Sequence, residues 1–262
     1  MNDFVARMGL AGKVVLITGG AGHVGRAVAS AFIEVGARVV IADLPGAGGS
    51  AAAGVLGPEV QALEVDLEQE SSVRGLVRRV LACAGRLDVI VHAAALVGTS
   101  ATDGWVTPFE TQKMALWRRA LEVNLTAPIA LMQEAAPVLR AARGCVVFIG
   151  SIYGVVGPDL RIYRDTGMGS PAAYAASKGG LMQMTRWLST VLAPEVRVNA
   201  VSLGGLARGQ AAAFVRAYEA RTPLGRMGTE HDAAGAVVFL ASEAAAWVTG
   251  QNLMVDGGWT AW

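Results

Sequence analysis

Five short runs along the chain are almost wholly apolar: Val14-Val-Leu-Ile-Thr18, Arg38-Val-Val-Ile-Ala-Asp43, Leu87-Asp-Val-Ile-Val-His-Ala-Ala-Ala95, Cys145-Val-Val-Phe-Ile-Gly-Ser151 and Val196-Arg-Val-Asn-Ala-Val-Ser202. Their β-branched content and lack of alternation fit strands of a parallel sheet, covered on both faces. Fainter runs over 60–65 and Leu253-Met-Val-Asp256 bring the expected total to about seven strands. Between them, apolar residues recur at helical spacing: after the first strand's turn to Gly36, then over 68–84, 111–140, 172–192 and 232–245. Pro194 ends the helix over 172–192. Strand and helix alternate along the whole length, which predicts an α/β protein with one doubly wound parallel sheet. No repeat, low-complexity tract or linker marks a boundary, so 1–262 reads as a single domain.

Composition narrows the function. Hydrophobic residues make up 53% of the 262 positions, charged residues 16%, and the formal net charge is +1. That balance gives no reason to expect a nucleic acid or other polyanion as partner. No apolar run approaches the roughly 18 residues of a membrane span, so no membrane partner is expected. Met1-Asn-Asp-Phe-Val-Ala-Arg-Met8 lacks the pattern of a secretory signal. Cys83 falls in a predicted helix and Cys145 in a predicted strand, which suggests two small core residues rather than a disulfide. A reducing, cytoplasmic setting is expected, and no metal site.

Directly after the first strand comes Gly19-Gly-Ala-Gly-His-Val-Gly25, then a helix, a strand, and Asp43. This is the order of a dinucleotide-binding unit and makes the fold Rossmann-type. Glycines let the backbone turn tightly beside a pyrophosphate, and free N–H groups at the helix start meet its charge. An acid about twenty residues on accepts hydrogen bonds from the adenosine ribose, and Asp43 lies eighteen after Gly25. Its carboxylate would repel a 2′-phosphate, and neither Leu44 nor Pro45 supplies a compensating cation, so NAD is expected over NADP.

Tyr174 and Lys178 stand four apart on a helix and therefore share a face. A neighbouring ammonium favours the phenolate, which makes Tyr174 a candidate general acid or base. Lysine is scarce, only Lys13, Lys113 and Lys178 beside nineteen arginines, so its presence here is informative.

With these residues in place, the chain resembles the short-chain dehydrogenase/reductase family, in its compact single-domain branch, from about residue 10 onward. The likeness rests on the glycine turn, Asp43, Asp66, Asn124, Ser151, Tyr174 with Lys178, and the tail Val248-Thr-Gly-Gln-Asn-Leu-Met-Val-Asp-Gly-Gly258. The resemblance implies that Tyr174 exchanges a proton with the substrate oxygen while hydride passes between its carbon and the nicotinamide. It further implies that Ser151 holds that oxygen, that Lys178 contacts the nicotinamide ribose and tunes Tyr174, and that Asn124 supports a water-linked proton path. The cofactor set becomes Gly19, Gly22, His23, Val24, Gly25, Asp43, Leu44, Asp66, Leu67, Ala94, Ala95, Gly204 and Leu206, with Tyr174 and Lys178. Asp66 would meet the adenine.

Departures from the family pattern are equally definite. The turn spaces its glycines as Gly19, Gly22 and Gly25, the spacing of the family's longer epimerase and dehydratase branch, and puts His23 where the compact branch has glycine. His23 has two readings, a pyrophosphate contact or a solvated side chain. His92-Ala-Ala-Ala95 replaces Asn-Asn-Ala-Gly, and His92 reads first as a strand-end residue bonded to backbone. Leu203 stands for the usual proline and Arg208 for a threonine that contacts cofactor. Ser151 and Tyr174 are 23 apart, farther than usual, with an insertion over 157–171 bounded by breakers. That segment carries Arg161, Tyr163, Arg164 and Asp165, and is either a wall of the substrate site or a solvated surface loop. In the first case Tyr153 and Tyr163 join Ser151 and Tyr174 as substrate contacts.

The expected function is an NAD-dependent oxidoreductase interconverting a secondary alcohol and a ketone, with a sugar or polyol among the candidate small-molecule substrates. Two rivals stand beside it: an epimerase or lyase using bound NAD without net turnover, and a catalytically silent nucleotide-binding scaffold. Apolar Leu181, Met182, Met184, Trp187, Leu188 and Val191 exceed what one sheet face needs, and with Trp259 and Trp262 they suggest a homo-oligomer, tetramer or dimer.

Overall fold

The apolar runs do pair into one sheet. A computed structural model describes residues 4–97, 102–164 and 166–262. Its elements run α1 (Phe4–Met8), β1 (Val14–Thr18), α2 (His23–Glu34), β2 (Arg38–Asp43), α3 (Gly49–Leu56), β3 (Gln61–Glu64), α4 (Glu70–Arg74), α5 (Leu76–Ala84) and β4 (Val89–His92). They continue with α6 (Met114–Leu121), α7 (Ala127–Ala142), β5 (Cys145–Ser151), α8 (Ala172–Val191), β6 (Arg197–Leu203), α9 (Ala212–Glu219), α10 (Glu230–Ala241) and β7 (Asn252–Val255). The seven strands lie in the order β3-β2-β1-β4-β5-β6-β7, every pair parallel.

Alternation along each strand divides the core in two. Leu16, Val40, Ile90, Phe148 and Val198 point to one face and meet α4, α5, α7 and α8. Val15, Ile17, Ile41, Val91, Val147 and Val201 point to the other and meet α2, α3 and α10. A parallel strand buried on both sides has no polar face to show, which is why these runs read as continuously apolar. From β1 the chain moves outward to β3 and then crosses back to β4. That reversal opens a crevice at the carboxyl ends of β1 and β4, where ligands of such sheets bind.

Several expected elements come out differently. Pairing of the fourth strand stops at His92, leaving Ala93, Ala94 and Ala95 as extended chain beside the crevice. The helix expected over 68–84 is divided at Gly75, and the one over 111–140 at a π-helical turn, Glu122–Thr126, that holds Asn124. Helices α1, α3 and α9 were not expected. Cys83 corrects the reading of two core cysteines: it is exposed on α5, while Cys145 is buried, and both are free. Trp259, expected at a subunit contact, is 2% exposed and stacks on Tyr218 at 4.2 Å. Trp262 is 76% exposed, and on α8 Trp187 and Val191 face outward while Leu181, Met182, Met184 and Leu188 are core.

Candidate active site

The glycine turn forms one end of the crevice, and its shape explains the spacing. Gly25, on the first turn of α2, lies so close to the turn that a Cβ there would come within 2.2 Å of the Gly19 carbonyl oxygen. Gly19 has φ +69°, and a Cβ on it would meet the Ala94 backbone nitrogen at 2.6 Å. Gly22 is the N-cap of α2 and carries no side-chain cap, so the first N–H groups of the helix face the cleft without a protein acceptor from that cap. His23 is exposed beside it. At the end of β2, Asp43 accepts hydrogen bonds from the Ala21 and Leu44 backbone nitrogens at 2.9 and 2.8 Å, which ties the acid to the turn.

A single cleft of about 740 Å³ joins this cradle to the strand ends of β4, β5 and β6. Every residue of the expected cofactor set lines it, Val24, Asp66, Leu67, Ala94, Ala95, Gly204 and Leu206 included. Its other half is lined by Ser151, Tyr153, Tyr163, Tyr174 and Lys178. The donor set fits a dinucleotide: a glycine cradle that a Cβ would fill, an uncapped helix start, and a carboxylate at the ribose distance along the chain.

Ser151 closes β5 and Tyr174 sits in the first turn of α8, so the strand end and helix start bring their hydroxyls together. Burial pushes the Tyr174 phenol above its ordinary value, and a hydrogen bond from Ser151 and the positive charge of Arg208 pull against that rise. The Lys178 ammonium donates to the Ile149 carbonyl at 2.7 Å and stands 5.9 Å from the Tyr174 ring centroid. Burial lowers Lys178 to about 8.

Asn124 is fully buried and does not line the cleft. Its Oδ1 accepts from Leu96 N at 2.7 Å, and its Nδ2 donates to Leu96 O and to the Ser177 hydroxyl. The π-helical turn thus clamps the strand-end segment that forms the cleft wall. His92 bonds the Thr18 hydroxyl through Nδ1 at 2.8 Å, a side-chain partner rather than the expected backbone one. Burial, helped by the Lys178 charge, lowers His92 to about 3, so it is neutral.

The insertion is partly exposed but anchored. Ile162 is buried with Ile152, Phe214, Tyr218, Met227 and Trp259, and Tyr163, Met168, Gly169 and Ser170 reach the cleft. Arg161 and Arg164 face solvent, and Asp165 lies outside the described residues. Asp159 accepts from Arg161 and Arg221, and Arg221 in turn lies over the Trp259 ring at 4.9 Å. Sequence reasoning missed Phe214 and Tyr218 of α9, both cleft residues; their i, i+4 spacing beside Val215 was the available signal. It also missed the pairing of Arg208 with Glu230 at 2.8 Å. Among the described residues, no group of three or more His, Cys, Asp or Glu side chains is placed to share a metal ion. No described helix is long and apolar enough to cross a membrane.

The family model described as enoyl-(acyl carrier protein) reductase matches residues 19–260. The chain belongs to the short-chain dehydrogenase/reductase family. Membership makes it an oxidoreductase, and short-chain dehydrogenases also supply its similar sequences and structures. An L-fucose dehydrogenase of Bos taurus is 37% identical over 259 residues, covering 95% of this chain and 89% of the relative. A cis-4-hydroxycyclohexanecarboxylate dehydrogenase of Sinomonas cyclohexanicum is 35% identical over 257 residues, covering 95% and 97%. A short-chain dehydrogenase structure from Leptospira borgpetersenii, with bound NAD+, superposes at a TM-score of 0.85 with 30% identity, covering 99% of this chain and 96% of that one.

Proposed function

We propose that this short-chain dehydrogenase/reductase interconverts a secondary alcohol and a ketone with NAD, using Tyr174 as the proton-transfer group. The observation that carries the reading is the meeting of Ser151, Tyr174 and Lys178 on one wall of a cleft whose other end is the glycine cradle and Asp43. Gly19, Gly22, Gly25 and Asp43 would hold NAD, with Asp66 and Leu67 toward the adenine and Ala94, Ala95, Gly204 and Leu206 along its length. NAD supplies the hydride acceptor when bound.

The protein's own part is to place the substrate oxygen and move one proton. Ser151 donates toward that oxygen and fixes its position; Tyr174 Oη then takes or gives the proton. Two hydroxyl donors aimed at the oxygen on which negative charge develops stabilise the transition state. Asn124 acts at one remove, by clamping Leu96, and Lys178 stands where its ammonium can reach a ribose hydroxyl. The named substrates of two relatives, L-fucose and a hydroxycyclohexanecarboxylate, support a ring-bearing secondary alcohol, a sugar or polyol among them. Outward-facing Trp187 and Val191 on α8 support a homo-oligomer, and two free cysteines suit a reducing, cytoplasmic setting.

The test is absorbance of reduced nicotinamide on mixing protein, NAD and a panel of secondary alcohols. Stoichiometric NADH is expected, and Tyr174→Phe should cut kcat by about 10²–10⁴ while NAD still binds. A chain that isomerises substrate without accumulating NADH, as the glycine spacing of the epimerase branch would allow, refutes the reading; so does a fully active Tyr174→Phe.

A further inference from the structure

The chain has four tyrosines, Tyr153, Tyr163, Tyr174 and Tyr218, and all four line the one cleft. Among the described residues, Phe214 is the only phenylalanine that does, and no tryptophan does. Aromatic surface alone would not sort the residues this way; the cleft selects rings that carry a hydroxyl. Only Tyr174 is used by the proton transfer.

The other hydroxyls can be counted. Tyr153 Oη and Tyr163 Oη are 2.5 Å apart and share one hydrogen bond. Two phenols carry two protons, so one O–H donor and several lone pairs remain for a third group. Burial raises both phenols, Tyr163 to about 12, so both stay protonated at any working pH. Each is close enough to Tyr174 for its charge to bear on them. Ser170, also on the wall, has a buried hydroxyl with no hydrogen-bond partner in the protein. A buried hydroxyl left unpaired is unfavourable, and a ligand hydroxyl would satisfy it. Tyr218 is differently engaged: it accepts from Gly205 N and stacks on Trp259.

Charge restricts the ligand further. The two arginines on the cleft wall are already paired, Arg119 with Glu68 at 2.7 Å and Arg208 with Glu230 at 2.8 Å. Lys178 is turned to Ile149 O. Apart from these engaged cations, the described residues of the substrate end offer neutral donors and ring faces, with Phe214 tilted against Tyr163 at 5.4 Å.

We propose that Tyr153, Tyr163 and Ser170 form a second hydroxyl-recognition subsite, so that the substrate is an uncharged diol or polyol carrying an oxygen near the reacting carbinol. This rests on the dehydrogenase reading of the cleft and names its substrate class. The subsite binds the neighbouring hydroxyl while Ser151 and Tyr174 hold the reacting one.

The experiment compares cyclohexanol, cis- and trans-1,2-cyclohexanediol, myo-inositol and 4-hydroxycyclohexanecarboxylate with the intact enzyme, Tyr163→Phe and Ser170→Ala. Turnover is read as NADH, and binding as the change in fluorescence of enzyme-bound NADH when the alcohol is added. At least one diol or polyol should exceed cyclohexanol by about tenfold or more in kcat/KM, as a site built around a substrate hydroxyl discriminates. Both variants should draw that ratio toward one, and thermal unfolding confirms that each is folded. Equal use of cyclohexanol and the diols overturns the subsite while leaving the dehydrogenase reading. Preference for the carboxylate overturns it too, as does a ratio that survives both variants. Diol-selective binding that is lost in the variants, with no NADH formed from any alcohol, keeps the subsite and removes the dehydrogenase reading; binding without selectivity and without turnover removes both.

Discussion

Gly25→Ala should damage the fold, while Gly22→Ala, three residues away in the same turn, should damage cofactor binding. A Cβ on Gly25 would lie 2.2 Å from Gly19 O, 2.7 Å from Gly20 Cα and 2.9 Å from Gly19 C, all backbone atoms that have no rotamer to change. Real Cβ atoms do not approach below 3.0 Å, so α2 and the turn must part by at least 0.8 Å. Overpacking of this kind costs about 1–3 kcal/mol, and opposed backbone puts this case near the upper end. For a domain of this size, about 3 kcal/mol lowers Tm by roughly 6–12 °C. A Cβ on Gly22 meets only Gly19 O, at 3.2 Å, which a small adjustment relieves. Alanine is a poorer N-cap than glycine, so that variant should lose about 1 kcal/mol or less. Its methyl would instead occupy the face on which a pyrophosphate lies. Thermal unfolding with and without NAD separates the two: bound cofactor at a hundred times Kd stabilises by about 2.7 kcal/mol. Gly25→Ala should melt early in both conditions, and Gly22→Ala should melt almost normally but gain little from NAD. A Gly25→Ala protein that melts within a degree of the parent would refute the packing argument, and full NAD stabilisation of Gly22→Ala would refute the placement of the pyrophosphate.

Ser151→Ala removes a group that holds the Tyr174 phenol down, so the rising limb of alcohol oxidation against pH should move to higher pH; Arg208→Met should move it the same way by less, and a limb that moves to lower pH contradicts the assignment. His92 is neutral in the fold at about 3 but takes a proton when unfolded, so the unfolded chain binds more protons as pH falls below about 6.5. Stability should therefore decline by up to about 1.4 kcal/mol per pH unit from pH 6.5 toward 3. His92→Asn, which can keep the Thr18 bond, should flatten that decline in urea titrations; an unchanged slope would exclude His92 as its source. Asp43→Ser with Leu44→Arg should turn the kcat/KM preference from NAD toward NADP, and retained NAD preference would show that Asp43 does not face the ribose.

The strands were legible because burial on both faces leaves almost only apolar residues over Val14–Thr18 and Cys145–Ser151. Tyr174, Lys178 and the glycine turn were legible because their spacing is set by one helix and one turn. What stayed hidden depends on distant partners. The π-helical turn around Asn124 interrupts an apolar pattern that runs on without a break, and the Leu96 backbone that Asn124 bonds there lies 28 residues away in the chain. Helix α3 is a run of alanine and glycine with little contrast between faces. Trp259 looked like surface because its partners, Tyr218 and Arg221, come from another part of the chain. The influence of Arg208 on Tyr174 likewise crosses from the segment after β6 to α8.

The insertion's anchorage has a consequence for altering what this enzyme accepts. Asp159, Arg221 and Trp259 couple residues 157–171 to the end of α9 and to the final turn, while the dinucleotide cradle draws mainly on residues up to Ala95 and on the turn after β6. On the proposed reading, specificity and cofactor use are largely written in separate stretches of polypeptide. A graft of another insertion should transplant a new preference only when Phe214, Arg221 and Trp259 are exchanged along with it.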